Sequence, residues 1–196
     1  MAWNAAAMGA DALAVSATGV EERHPPSGIL PHNPDYEVAL SAGCAYFDAD
    51  PSLYPVEPPR PEDERMRSFD ALAEGARGAR EAGLKVFARV ETLANEILAA
   101  REPFSAVSAS GERNKLWLCP NNPGVRAYLR GLVRDISRYG VDGVVLARFQ
   151  LPWPARPEGP AGGVHCFCEH CASRAAEEGL DADRVARALR RGLGEP

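Results

Sequence analysis

The 196-residue sequence has no apolar run that approaches the roughly 20 residues needed to cross a bilayer. Its Ala-rich start at 2–15 carries Asp11 but lacks the early lysines and arginines of a secretory signal. Acidic residues outnumber basic ones by 27 to 22, and the net charge of −5 leaves no basic excess for a phosphate backbone. We therefore expect a cytoplasmic protein that binds neither membranes nor nucleic acid.

Short apolar runs bounded by Gly or Asp are typical of buried parallel strands. Four such runs are present, at 12–15, 45–47, 84–90 and 141–149. Proline-rich stretches at 25–34, 51–61 and 152–160 predict long loops between them.

Three helical patterns accompany these strands. One starts at Met66 and ends at Gly83, with an apolar stripe made of Met66, Phe69, Leu72, Ala73 and Ala76 at helical spacing. The second is capped by Asn122 and ends at Gly140, with an apolar stripe made of Val125, Tyr128, Leu129, Leu132, Val133, Ile136 and Tyr139. Its other face carries Arg126, Arg130, Arg134 and Arg138, a row typical of a solvated surface. The residues from Cys168 onward predict a helix interrupted at Gly179. A second helix follows, capped by Asp181, with apolar positions Val185, Ala186, Leu189 and Leu193.

Alternating strands, loops and helices indicate an α/β fold of the (β/α)8 TIM-barrel type. Four strands already occupy about three quarters of the chain, whereas a full barrel needs about 250 residues. The sequence therefore predicts only the N-terminal half of a barrel, with about four β/α units. It would form one partial domain over 1–196, with a Cys-rich loop at 160–172 and C-terminal helices at 169–193.

Three of the five cysteines fall within six residues, at Cys166, Cys168 and Cys171. Such tight clustering in a chain without a secretory signal indicates metal ligation or thiol chemistry before a disulfide framework. Zinc takes four tetrahedral ligands, so three clustered thiolates require one more donor. Cys119 is the expected donor, because it precedes the Asn122 helix in a loop at the same end of a barrel. Cys44 is expected to be a core thiol.

Three alternatives stay open at this level. His165 or His170 could replace Cys119 as the fourth ligand, the cysteines could be buried small side chains, or two of them could form a redox pair. A closed four-thiolate site is structural, because it leaves no position for water or substrate. A structural zinc is thus the expected cofactor.

The segments LCPNNPGVRAYLRGLVRDISRYGVDGV and CFCEHCASRAAEEGL resemble the glycoside-hydrolase-like TIM-barrel proteins. Their Cys-Pro-Asn and Cys-x-Cys-x-x-Cys motifs are also similar to the zinc cluster of family 42 β-galactosidases. The resemblance runs from Ala42 to Leu189, and it implies zinc ligation by Cys119, Cys166, Cys168 and Cys171.

The sequence departs from that family at the fourth strand, where the resemblance implies an Asn-Glu pair that includes the acid/base. The corresponding residues, 144–150, contain no carboxylate. Glycosidases of both stereochemical classes need two carboxyl groups, so the chain as given is expected to be catalytically incomplete.

Polar residues near the predicted strand ends could still bind a carbohydrate. These candidates are Asp48, Arg89, Glu91 and Arg148, with Tyr54 and Trp153 as rings that could stack on a sugar. An Arg–Glu pair inside a barrel is also commonly a structural ion pair. Two other functions remain possible: an active carbohydrate hydrolase at full length, or a non-enzymatic module that binds a glycan or a protein.

A half-barrel would leave strand edges with unpaired backbone groups, and such edges favour association with a second chain. We therefore expect a homo-oligomer, formed by two chains that complete one another. Sedimentation velocity should give the mass of a dimer, and a monomer that persists at high protein concentration would contradict this expectation.

Overall fold

The computed structural model describes residues 2–19, 43–62, 64–101, 103–149 and 166–192. The chain divides into two compact units. The first comprises Met1–Thr92 and Arg130–Ala147, and the second comprises Leu93–Leu129 and Arg148–Pro196. No helix in the described ranges is long and apolar enough to cross a membrane.

A three-stranded parallel sheet organises the first unit. Its strands are β1 (Ala12–Ser16), β4 (Lys85–Glu91) and β7 (Gly143–Ala147), in the order β1-β4-β7. Helix α1 (Ala2–Ala7) precedes β1, and α3 (Ala71–Glu81) packs its buried alanines against the sheet. Three of the four predicted strands are thereby confirmed. The residues described here form no closed barrel, and the half-barrel stays a prediction.

Strand β4 is central, and its Val86, Ala88 and Val90 side chains are fully buried. Strand β7 lies at an edge, where Val145 is 42% and Leu146 is 50% exposed. The sequence predicted burial for these strands, and this is wrong for β1 and β7, neither of which has a fully buried residue, because the faces of both strands are only partly covered.

The predicted parallel strand at 45–47 is wrong. Its residues are buried, but β3 (Cys44–Ala45) pairs antiparallel with β2 (Thr18–Gly19) in a separate two-stranded sheet. A short apolar run predicts burial without fixing the direction of pairing. Beyond β3 the chain enters the predicted proline-rich loop, which contains a single 3-10 turn at Pro51–Leu53.

The predicted single helix from Met66 is also wrong, because the structure contains α2 (Glu64–Arg67) and a separate α3. The Asp70 side chain accepts a hydrogen bond from the Ala73 amide at 2.8 Å and starts the second helix. Phe69, assigned to the apolar stripe, is 55% exposed between the two helices. Gly83 has φ +73°, as its place beyond the helix end predicts.

Helix α5 (Pro123–Ser137) begins as predicted. The Asn122 side chain accepts hydrogen bonds from the Gly124 and Val125 amides, and Gly140 has φ +62° after the helix end. The stripe residues Val125, Tyr128, Leu132 and Ile136 are buried. Val133 is 39% exposed, so the stripe is narrower than predicted.

A short hairpin and further helices build the second unit. They are α4 (Glu96–Ala100), β5 (Ser105–Val107), β6 (Arg113–Leu118), α6 (Glu169–Glu177) and α7 (Ala182–Gly192), with β5 antiparallel to β6. Gly179 has φ +76° between the last two helices, and Asp181 accepts a hydrogen bond from the Arg184 amide, as predicted. Val185 is 46% exposed, which corrects its assignment to the apolar face, and Leu193 lies outside the described residues.

A buried carboxylate fixes the 3-10 turn to α5 in the first unit. Asp135 is fully buried and accepts hydrogen bonds from the Asp50 amide, the Tyr54 hydroxyl and the Arg138 guanidinium at 2.8 to 2.9 Å. Gly131 permits this approach, because a β-carbon there would overlap the Leu53 carbonyl oxygen. The Tyr54 hydroxyl is therefore committed to a structural contact.

Asp135→Ala should lower the free energy of unfolding by about 3 kcal/mol, because it removes a fully buried carboxylate and leaves the half-buried Asp50 amide and Tyr54 hydroxyl without their acceptor. Urea unfolding measures this loss. Asp11→Ala, at an exposed aspartate, is the matched control. A loss for Asp135→Ala no larger than that of the control would contradict the assignment.

Candidate metal centre

Cys119 is positioned at the end of β6 in the second unit. Its amide donates to the Phe104 carbonyl at 2.8 Å, and its own carbonyl accepts from the Asn122 amide that opens α5. The residue is fully buried. A strand end and a helix start therefore fix this thiol on both sides.

The other three cysteines lie at the start of α6. Cys168 is the N-cap residue of this helix, and Cys171 lies in its first turn. Cys166 lies beside β5, because the Phe167 amide donates to the Val107 carbonyl at 2.8 Å. Short spacing and the first helical turn together bring these three thiols to one place.

The four sulfur atoms form a compact group, all within 4.8 Å of one another. Cys119 Sγ lies 3.4 Å from Cys168 Sγ and 3.5 Å from Cys171 Sγ. A tetrahedral ion with metal–sulfur distances of about 2.3 Å requires sulfur–sulfur separations of about 3.8 Å. The thiols are thus close enough to hold one metal ion.

Hydrogen-bond donors surround the sulfurs. The Val107 amide donates to Cys166 Sγ at 3.4 Å, and the Asn121 side-chain amide donates to Cys171 Sγ at 3.3 Å. Donors of this kind stabilise thiolates and orient metal ligands. Neither residue was predicted from the sequence. Asn121 could have been identified, because it directly follows the Cys119-Pro120 pair, whereas the Val107 contact depends on the fold.

The thiols also alter one another's ionisation. Hydrogen bonds from Cys119 and Cys166, with a smaller contribution from Asn121, lower the pKa of Cys171 to about 4. Hydrogen bonding to Cys166 and Cys171, together with burial, raises the pKa of Cys119. The cluster favours one ionised thiol, which is the form that binds metal.

The histidines that were alternative ligands, and the fifth cysteine, are not part of the four-thiol group among the described residues. His170 lies 3.7 Å from the Glu169 carboxylate and is not in the four-cysteine group, and His165 lies outside the described residues. All five cysteines are free thiols, and Cys44 is fully buried away from the group, as expected of a core thiol.

The residues predicted to bind substrate lie in both units. Arg89 and Glu91 form an ion pair at 2.6 Å in the first unit, with the Glu91 side chain only 1% exposed. Asp48, in the same unit, is exposed and lies 3.6 Å from the Arg60 guanidinium. Arg148 belongs to the second unit and has φ +50°. Trp153 lies outside the described residues.

No known protein family and no curated protein matches the chain. Among solved structures, it is similar to α-L-fucosidase isoenzyme 2 from Paenibacillus thiaminolyticus, with 20% identity and a TM-score of 0.50. That alignment covers 77% of this chain and 22% of the fucosidase, so the chain spans about a fifth of the enzyme's length. A hypothetical protein from Ruminiclostridium thermocellum ATCC 27405 aligns with 13% identity and a TM-score of 0.49, over 78% of this chain and 69% of that one. Likeness at this level shows the fold alone.

Replacing any of the four clustered cysteines by serine should abolish stoichiometric metal binding, because a tetrahedral site loses one of its ligands. Mass spectrometry of protein reconstituted with zinc under reducing conditions should give about one ion per chain for the wild type. Cys44→Ala is the matched control and should retain the ion. Retention of the ion by a serine variant, or equal metal loss in the control, would contradict the assignment of the ion to the cluster.

Proposed function

We propose that the chain is a zinc-stabilised, glycoside-hydrolase-like α/β protein of the half-barrel type, and that it does not hydrolyse glycosides by itself. The observation that carries the proposal is the convergence of four thiols from two separate segments. The fold likeness to the fucosidase supports the carbohydrate-related part.

Zinc is the metal that this donor set favours, because four thiolates in a tetrahedron suit zinc or iron–sulfur chemistry and zinc forms the closed structural sites. Cys119, Cys166, Cys168 and Cys171 would hold the ion. With all four positions taken by sulfur, the ion would stabilise the fold and activate no water.

Helices α6 and α7 bury little apolar surface, so a bound ion would stabilise their docking. None of the residues of α6 is buried, and α7 buries only Ala186. Apolar burial is the usual source of helix docking energy. In this unit the thiol cluster takes over that role for the two helices.

The carboxylates of the first unit argue against glycoside hydrolysis by the chain alone. Glu91 is buried in its ion pair with Arg89, and the end of β7 continues through Ala147, Arg148 and Phe149 without an acidic residue. Both stereochemical routes need two carboxyl groups that face the scissile bond. Because the chain spans only 22% of the fucosidase, hydrolysis by a longer protein is the second candidate.

We expect no release of nitrophenol from a panel of aryl glycosides that includes the α-L-fucoside. The matched control is Glu91→Gln, which removes the one strand-end carboxylate of β4. Turnover by the wild type that disappears in this variant would contradict the proposal and favour an active hydrolase.

A further inference from the structure

A cleft of about 210 Å³ lies in the second unit, between the β5–β6 turn and the last two helices. Its lining includes Val107, Phe167 and Ala172, and α7 contributes Ala182 and Ala186. The cleft exists because the facing side chains of α6 and α7 are alanines. Larger residues at these positions would fill it.

Two arginines line this cleft from one side. Arg187 and Arg190 lie three residues apart on α7, so they share a helix face, and Asp183 lies one turn before Arg187. Neither guanidinium forms an ion pair with a described carboxylate. On the neighbouring helix, by contrast, Arg174 pairs with both Glu177 and Glu178.

The charge balance of the cleft is opposite to that of the chain. Two arginines and one aspartate give it a net positive charge, whereas the whole chain carries −5. Guanidinium groups present several donors in a plane that matches the oxygens of phosphate and carboxylate groups. Apolar side chains, among them Val107 and Phe167, share the lining with these polar groups and suit the carbon skeleton of a small ligand.

We propose that this cleft binds the anionic group of a small molecule, a phosphate or a carboxylate, through Arg187 and Arg190. The site is separate from the four thiols, although two of its lining residues lie beside them. The Val107 amide donates to Cys166 Sγ, and the Phe167 amide donates to the Val107 carbonyl. Its existence does not depend on which metal the cysteines bind.

Calorimetric titration of the full chain at constant ionic strength tests the proposal, with inorganic phosphate and acetate as separate probes. We expect saturable binding of at least one probe, and the stronger of the two identifies the anion class. The double variant Arg187→Gln with Arg190→Gln should weaken that binding at least tenfold. Arg184→Gln lies on the same helix outside the cleft and should change it less than twofold.

Ala182→Leu provides a second test, because it obstructs the cleft without changing charge and should also weaken binding at least tenfold. Zinc content and circular dichroism of every variant establish that the fold is intact. Absence of saturable binding for both probes would overturn the proposal. Equal weakening by Arg184→Gln would also overturn it, since it would show attraction to the general charge of α7.

Discussion

The meeting of four sulfur atoms is the constraint on which the second unit depends. Cys119 and Cys168 are 49 positions apart in the chain, yet their sulfur atoms lie 3.4 Å apart. Bringing distant segments together costs loop-closure entropy, and this cost must be offset by an interaction at the junction. Helix α6 offers no buried side chain that could supply it. We propose that metal ligation by the four thiols is this interaction.

This arrangement assigns metal binding and ligand binding to different sites, although proteins often combine the two in one site. The ion that we propose would have only protein sulfurs around it, so its contribution is to stability. The buried carboxylates of the first unit are separately committed, since Glu91 on β4 pairs with Arg89 and Asp135 on α5 anchors the 3-10 turn. In the α7 cleft, Arg187 and Arg190 line open space without pairing with a described carboxylate. We therefore place the proposed ligand-binding role in this cleft.

The sequence predicted most of what depends on local patterns. Asn122, Gly83 and Gly179 mark helix boundaries through capping and left-handed backbone, so their neighbours in the sequence suffice to identify them. The four cysteines were predictable for a similar reason, because zinc chemistry demands a fourth donor and Cys119 stands apart in the sequence. The break before α3 was missed, although Asp70 is a plausible cap, because the apolar spacing continued across it.

What the sequence could not predict depends on contacts between distant segments. Strand 45–47 was expected in the parallel sheet, but pairing direction follows from Thr18 and Gly19, which no local pattern reveals. The exposure of β7 depends on which elements cover the faces of the sheet, and the Val107 contact with Cys166 depends on the docking of α6. That the parallel sheet belongs to a half-barrel stays a prediction.

X-ray absorption at the zinc edge tests the central claim most directly, because it reports the atoms bound to the ion. Our account predicts a single shell of four sulfurs at about 2.3 Å in the zinc-loaded protein. A shell that contains nitrogen or oxygen at about 2.0 to 2.1 Å would contradict it. It would mean that a histidine, a carboxylate or water occupies a position that we assign to a cysteine.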